Sequence, residues 1–187
     1  MWLKRALRRF SVKDLILIAA MAALGIAVKA VVQPLIRLVS APLMIPGGAL
    51  SGGLYMMWLV MAAGLTGKRG AASLAGLIQA LLVMLTSVGG SHGLLSLVSY
   101  TLPGLAIDAW LLLSRHRACC LPCAFVSCLL ANICGTFAVN LIFFRLPLIP
   151  LLLSLAAAAF SGGAGGVLTW HLMKALRRFD IGVGGES

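Results

Sequence analysis

Apolar and polar positions alternate along this chain at the scale of whole segments. Long apolar runs are separated by short stretches that carry most of the charges, prolines and paired glycines. A helix needs about 20 predominantly apolar residues to cross the hydrocarbon core of a bilayer. Divided at these breaks, the sequence predicts six membrane-spanning helices, near residues 14–33, 51–66, 70–86, 94–113, 119–144 and 148–173.

The stretches between and around these runs complete the predicted organisation. The second and third runs are short, and the turn that joins them holds Lys68 and Arg69, so a tight hairpin is expected. Residues 1–13 mix bases with apolar residues, as in an amphipathic helix lying on the membrane or a simple basic anchor. We therefore expect a single membrane domain over residues 1–187, with a six-helix bundle at 14–173 and a cytoplasmic tail at 174–187.

Composition supports a membrane protein. Of the 187 residues, 61% are hydrophobic and 10% are charged, with a mean hydropathy of +1.08. A soluble domain is about half apolar and about a quarter charged. The excess apolar surface must therefore face lipid, and the predicted fold class is an all-α polytopic bundle. Four acids in the whole chain also argue against catalysis by paired carboxylates.

The charge pattern predicts an orientation. Fifteen Lys or Arg residues face four Asp or Glu, a formal net charge of +11. Twelve of the bases fall on one side of the predicted spans, namely Lys4, Arg5, Arg8, Arg9, Lys13, Lys68, Arg69, Arg115, Arg117, Lys174, Arg177 and Arg178. Arg37 and Arg145 fall on the other side. By the positive-inside rule, both termini are expected in the cytoplasm.

Polar residues within the spans are the candidates for function, since they are costly in hydrocarbon. On the fifth span, Asn132, Thr136 and Asn140 share one helical face. This stripe predicts either hydrogen bonding between helices or a wall that faces a ligand.

The fourth span carries a second stripe, Tyr100, Gly104 and Asp108, which continues outward to His92. His92 is either a solvated loop residue or a ligand group. Asp108, the only acid deep in a span, could bond a neighbouring helix, reach Arg115 or contact a cationic substrate.

Four other residues within the spans are singled out. Lys29, the only base inside a span, is expected to snorkel outward. Gln79 is either a ligand group or a packing residue. Tyr55 and Trp58 fit an interfacial aromatic belt or a surface on which a flat ring stacks.

Small residues recur every four positions on two spans. They are Ala19, Ala23 and Ala27 on the first span and Ala158, Gly162 and Gly166 on the sixth. This spacing lets helix backbones approach closely, either within the chain or, on the first helix, against a separate membrane subunit. The connection at residues 34–53 is rich in Pro and Gly and predicts a lid over a pocket.

Neither a metal nor a cofactor is expected. All the cysteines lie on the fifth span, namely Cys119, Cys120, Cys123, Cys128 and Cys134. There is no second Cys pair and His116 is the only nearby imidazole, so small packing residues are the better interpretation.

These features together resemble the S components of energy-coupling factor (ECF) transporters, the substrate-binding membrane subunits of vitamin importers. The resemblance rests on the compact six-helix plan, the cytoplasmic termini, the alanine stripe of the first helix and the long first outer connection. The stretches Pro46–Trp58, Gly67–Ser73 and Pro103–Trp110 look most like the branch assigned to thiamine or its hydroxymethylpyrimidine precursor. In that branch an acid sits at the place of Asp108.

The resemblance implies a transport subunit of a prokaryotic plasma membrane and not an enzyme. Such a subunit captures a vitamin from outside and topples on a transmembrane coupling subunit driven by two ATP-binding cassette ATPases. Ala19, Ala23 and Ala27 would form the docking face. The substrate-binding residues would come from Tyr55, Trp58, Gln79, His92, Tyr100, Asp108, Asn132 and Asn140. The alternatives are a membrane-embedded enzyme, or a structural or assembly subunit without a small-molecule ligand.

Overall fold

The computed structural model describes residues 10–40, 47–86, 95–115 and 120–179. Within these ranges it contains six α-helices and no strand, which confirms the predicted all-helical class. The helices are α1 (Val12–Ser40), α2 (Gly47–Thr66), α3 (Ala71–Thr86), α4 (Leu95–Leu113), α5 (Leu121–Val139) and α6 (Leu148–Arg177). A π-helical turn, Asn140–Phe144, follows α5.

Five of these helices are long and apolar enough to cross a membrane. The other, α3, has 16 residues and is about 24 Å long, somewhat shorter than the hydrocarbon core. Each predicted span coincides with one helix. A sixth crossing by α3 and the cytoplasmic location of the termini remain predictions.

Hydrogen bonds at one end of the bundle involve five of the helices. Lys68, between α2 and α3, pairs with Asp14 near the start of α1. Arg177 at the end of α6 donates to the carbonyl of Gly64, with Nη2 to O at 2.9 Å, and Asp108 of α4 bonds to the start of α3. We call this end, which holds Lys13, Lys68, Arg115 and Arg177, the basic end.

The helix α2 lies at the centre, since 14 of its 20 residues are buried. It crosses α6 at a point where only glycine fits. A Cβ added to Gly53 would lie 1.9 Å from the carbonyl oxygen of Ser161, and one added to Gly165 would lie 2.3 Å from that of Gly53. Ser161 Oγ fastens the crossing by accepting from Gly53 N (3.1 Å) and donating to Leu50 O (2.6 Å).

The small residues of α6 pack within the chain. Ala158 is fully buried. A Cβ on Gly162 would lie 2.8 Å from Leu129 Cα, and one on Gly166 would lie 2.5 Å from Phe125 Cα, both on α5. The predicted close approach of helix backbones is therefore confirmed for this stripe.

The predicted long connection at residues 34–53 is wrong at both ends. α1 continues through Pro34 to Ser40, and α2 begins at Gly47. A helix bonds its backbone internally, which an apolar environment requires, so helical structure persists through a Pro and two Gly pairs. Only residues 41–46 separate the two helices. These, with the predicted amphipathic residues 1–9 and the last residues 180–187, lie outside the described ranges, and the predicted tail is helical as far as Arg177.

Candidate functional site

Lys29 is buried inside the bundle, so the expectation that it snorkels outward is wrong. Its side chain is 9% exposed. The ammonium donates to Tyr100 Oη and lies 4.4 Å from the centre of the Tyr100 ring and 5.2 Å from that of Tyr55. A hydroxyl and two aromatic faces replace water around the charge, which explains why the side chain points inward.

Two further side chains lie one helical turn along α1 from Lys29. A Cβ added to Gly25 would lie 2.2 Å from Gln79 Nε2 and 3.4 Å from Trp58 Cβ. Gly25 therefore leaves room for Gln79 in the interior. We call Lys29, Tyr55, Trp58, Gln79 and Tyr100 the lysine cluster.

Several polar atoms in and beside this cluster are buried without a hydrogen bond to any described residue. They are both amide atoms of Gln79, Trp58 Nε1, Thr101 Oγ1 and Gln33 Oε1. Gln79 is only 1% exposed. Because buried polar groups are normally paired, a set of unpaired ones in one region calls for an explanation. A ligand that supplies the missing partners is one.

Asn140 lies at the start of the π-helical turn, at the end of the bundle opposite the basic end. Its carbonyl accepts from Arg145 N at 2.7 Å, and Arg145 closes the turn in the left-handed conformation, with φ of 46°. The amide Nδ2 is buried and has no partner among the described residues. Turns of this type are frequent at functional sites. The apolar sequence around Asn140 gave no indication of a π-helical turn.

Asn132 binds neighbouring helices. Its Nδ2 donates to Ala49 O of α2 at 3.2 Å and to Ala158 O of α6 at 2.8 Å. Gly52 accommodates it, since a Cβ there would lie 1.7 Å from Asn132 Oδ1. Of the two interpretations of the stripe, hydrogen bonding between helices describes the Asn132 amide nitrogen. Asn132 Oδ1 and Asn140 Nδ2 are both buried without a partner among the described residues.

Asp108 lies at the basic end, about 12 Å along α4 from Tyr100. Its carboxylate accepts from Gly70 N at 3.1 Å, from Ser73 N at 2.8 Å and from the Ser73 hydroxyl. A carboxylate at the start of α3 satisfies free N–H groups and complements the helix dipole. Of the open alternatives, bonding to a neighbouring helix is the one that the structure shows.

The structure thus brings together four of the predicted site residues, Tyr55, Trp58, Gln79 and Tyr100, around Lys29. Sequence reasoning left Lys29 out, although a lone base within an apolar run was the signal that could have found it. Asn132 and Asp108 make contacts between helices. Asn140 lies at the end of the bundle opposite the basic end, and His92 is outside the described residues.

The alanine stripe of α1 differs from the glycine stripe of α6. Ala19, Ala23 and Ala27 are all exposed, on a helix whose exposed Leu24 and Val31 would face lipid. No other helix of the described chain covers this stripe, which therefore forms an exposed surface of small side chains.

Comparison with known proteins identifies the family. The family model for the permease component of ABC-type cobalt transport systems matches residues 13–134. The chain belongs to this family. No curated protein matches it significantly.

Comparison with solved structures identifies the fold. A protein described as an S-component of an ECF transporter superposes with a TM-score of 0.78, over 92% of this chain and 88% of that chain, at 20% sequence identity. This permease-family chain therefore has the fold of an ECF S component, as the sequence resemblance implied.

Proposed function

We propose that this protein is the substrate-binding S component of an ECF-type importer. The observation that carries the proposal is the lysine cluster, a group of partly unpaired polar and aromatic side chains buried within a bundle of S-component fold. Such a convergence of a few polar groups in an otherwise apolar interior is typical of a small-molecule site. In this proposal the basic end faces the cytoplasm, and the substrate enters from the end that holds Asn140.

The chemistry of the cluster favours a flat, heteroaromatic substrate. Tyr55 and Trp58 offer ring faces for stacking. The Gln79 amide offers one acceptor and two donors, which complement the ring nitrogens and amino group of an aminopyrimidine. Thiamine and hydroxymethylpyrimidine both contain this ring.

Lys29 discriminates between these two candidates. Thiamine carries a permanent positive charge on its thiazolium ring, whereas hydroxymethylpyrimidine is neutral at pH 7. A second cation near a buried ammonium is repelled. We therefore favour hydroxymethylpyrimidine, whose hydroxyl can accept from Lys29.

The family's description raises cobalt as a second candidate substrate. Cobalt prefers nitrogen, oxygen or sulfur ligands grouped around one point. The described residues contain no group of three or more His, Cys, Asp or Glu that could hold a metal ion. The arrangement of the described residues supports an organic substrate over a metal ion.

Transport requires partners in this proposal. The chain contains no Gly-x-x-x-x-Gly-Lys-Ser/Thr phosphate loop, so ATP hydrolysis comes from two ATP-binding cassette ATPases acting through a transmembrane coupling subunit. The exposed stripe Ala19, Ala23 and Ala27 is the docking face on which the S component topples.

Ligand binding to the purified chain tests the proposal. We expect tryptophan fluorescence to change with hydroxymethylpyrimidine in the micromolar range or below, less tightly with thiamine, and not with CoCl₂. Trp58→Phe should abolish the signal, whereas the matched variant Trp110→Phe, on α4 near Asp108, should retain it. A response to CoCl₂ alone would favour the metal. No response to any of the three, without a co-purified small molecule, would favour a structural subunit, and chemical conversion of an added compound would favour an enzyme.

A further inference from the structure

A second polar site lies at the basic end of α6, outside the lysine cluster. It is a cavity of about 240 Å³ lined by Trp170, Met173, Lys174 and Arg177. Met173 is 2% exposed and forms an apolar wall. The Lys174 ammonium lies 5.2 Å from the centre of a Trp170 ring, so a cation and an indole meet at the rim.

Arg177 gives the cavity a fixed donor. Its Nη2 is anchored to Gly64 O at 2.9 Å, while its Nε is buried without a partner in the described ranges. The two acids within those ranges are bound elsewhere, Asp14 to Lys68 and Asp108 to Ser73. Two cationic side chains therefore line a cavity to which neither acid contributes, which favours an anion with several acceptor oxygens.

The surface beside the cavity indicates which anion. Phe160, Ala164 and Val167 are exposed and follow one face of α6 down to His171 and Lys174. Phe160 is 84% exposed. An apolar strip that ends in an indole and two bases matches the acyl chain and headgroup of a lipid at the membrane boundary. A soluble phosphate would make no use of the strip.

We propose that this cavity binds the phosphate of an anionic phospholipid. Lys174 and Arg177 contact the phosphate oxygens, Trp170 lies at the level of the ester groups, and one acyl chain follows Phe160 and Val167. The site is independent of the substrate and would hold α6 at a defined depth.

Native mass spectrometry of the full chain tests this site. We expect phosphatidylglycerol to be retained in preference to phosphatidylcholine with the same acyl chains. Lys174→Gln should lower the retention of phosphatidylglycerol about fivefold, because one base near an anionic lipid surface strengthens binding by about this factor. Lys13→Gln, an exposed base of the same end, is the matched control and should have little effect. Lys174→Arg should keep the preference, which separates loss of charge from misfolding.

A second measurement locates the lipid. Phosphatidylglycerol with brominated acyl chains should quench the fluorescence of the native protein more strongly than that of Trp170→Phe. Equal retention of the two lipids, or equal effects of Lys174→Gln and Lys13→Gln, would overturn the proposal. Displacement of the lipid by millimolar inorganic phosphate would assign the cavity to a soluble anion instead. Loss of coupling-subunit binding in Lys174→Gln, with lipid retention unchanged, would assign it to a protein interface.

Discussion

The basic end and the lysine cluster differ in how their polar groups are hydrogen-bonded. At the basic end, Asp14 pairs with Lys68, and Asp108 accepts from Gly70 and Ser73. In the lysine cluster, Gln79 and Trp58 are buried with polar atoms that no described residue satisfies. The two acids at the basic end join helices, whereas in the lysine cluster Gln79 and Trp58 keep polar atoms that no described residue satisfies.

This difference separates stability from recognition. Hydrogen bonds at the basic end hold helix ends together where water competes. Each unpaired polar group in the interior lowers the stability of the fold by about 1–3 kcal/mol. A bound ligand with matching groups would offset this loss. Variants at the two regions should therefore change different measured quantities.

Asp108→Leu should have the largest effect, and on stability. It leaves the N–H groups of Gly70 and Ser73 without their acceptor, at a cost of about 3 kcal/mol in the free energy of unfolding. Thermal unfolding in detergent measures the loss. Ligand affinity per folded molecule should stay unchanged, and Asp108→Asn, which keeps an acceptor oxygen, should lose less. A large drop in ligand affinity with normal stability would show instead that Asp108 takes part in substrate binding.

Lys29→Met should act mainly on recognition. The variant removes the ammonium that faces Tyr55 and Tyr100 and keeps a side chain of similar length. We expect affinity for hydroxymethylpyrimidine to fall about thirtyfold, equivalent to about 2 kcal/mol, with at most a small change in unfolding temperature. The preference against thiamine should also shrink. Unchanged affinities for both compounds would contradict a role for Lys29 in the site.

Asn132→Leu and Asn140→Leu compare two positions of one helical stripe. Asn132 bonds Ala49 and Ala158, so its replacement should destabilise the fold by about 2 kcal/mol. Asn140 has an unpaired Nδ2, so its replacement should leave the unfolding temperature nearly unchanged while weakening ligand binding. Thermal unfolding and ligand titration of both variants measure these two effects. Equal destabilisation by both variants would show that the whole stripe only joins helices.

Gln79→Leu should have the smallest effect on stability, and its sign is informative. An apolar side chain in place of an unpaired buried amide should leave the free energy of unfolding unchanged or raise it by about 1 kcal/mol. Ligand affinity should fall about tenfold, as expected for a lost hydrogen bond in an apolar site. Calorimetry of the free and ligand-bound protein measures both quantities. Destabilisation without any binding defect would identify Gln79 as a packing residue.

Much of the fold could be predicted because hydropathy carries the necessary information. Each apolar run became a helix, and the spacing of Gly162 and Gly166 correctly indicated close packing. The connection after α1 was misplaced, since Pro34 interrupts sequence patterns more strongly than it interrupts a helix in apolar surroundings. Tyr55, Trp58, Gln79 and Tyr100 could be named as candidates because polar or aromatic side chains stand out in such runs, and the structure places them near one another.

The rotation and depth of each helix could not be predicted. Both lipid and the protein interior are apolar, so hydropathy does not indicate which face of a helix points inward. This is why Lys29 was expected to reach outward, and why the roles of Asp108 and Asn132 stayed open.

The sequence by itself determined the membrane class, the helical composition and the approximate limits of the helices, because a bilayer requires long apolar segments with internally bonded backbones. Only the tertiary structure decided which polar groups meet. It turned Lys29 toward two tyrosines, brought Asp108 to the start of α3, and covered the small residues of α6 while leaving Ala23 exposed. These choices depend on packing between helices distant in sequence, where a difference of one residue in register changes every contact.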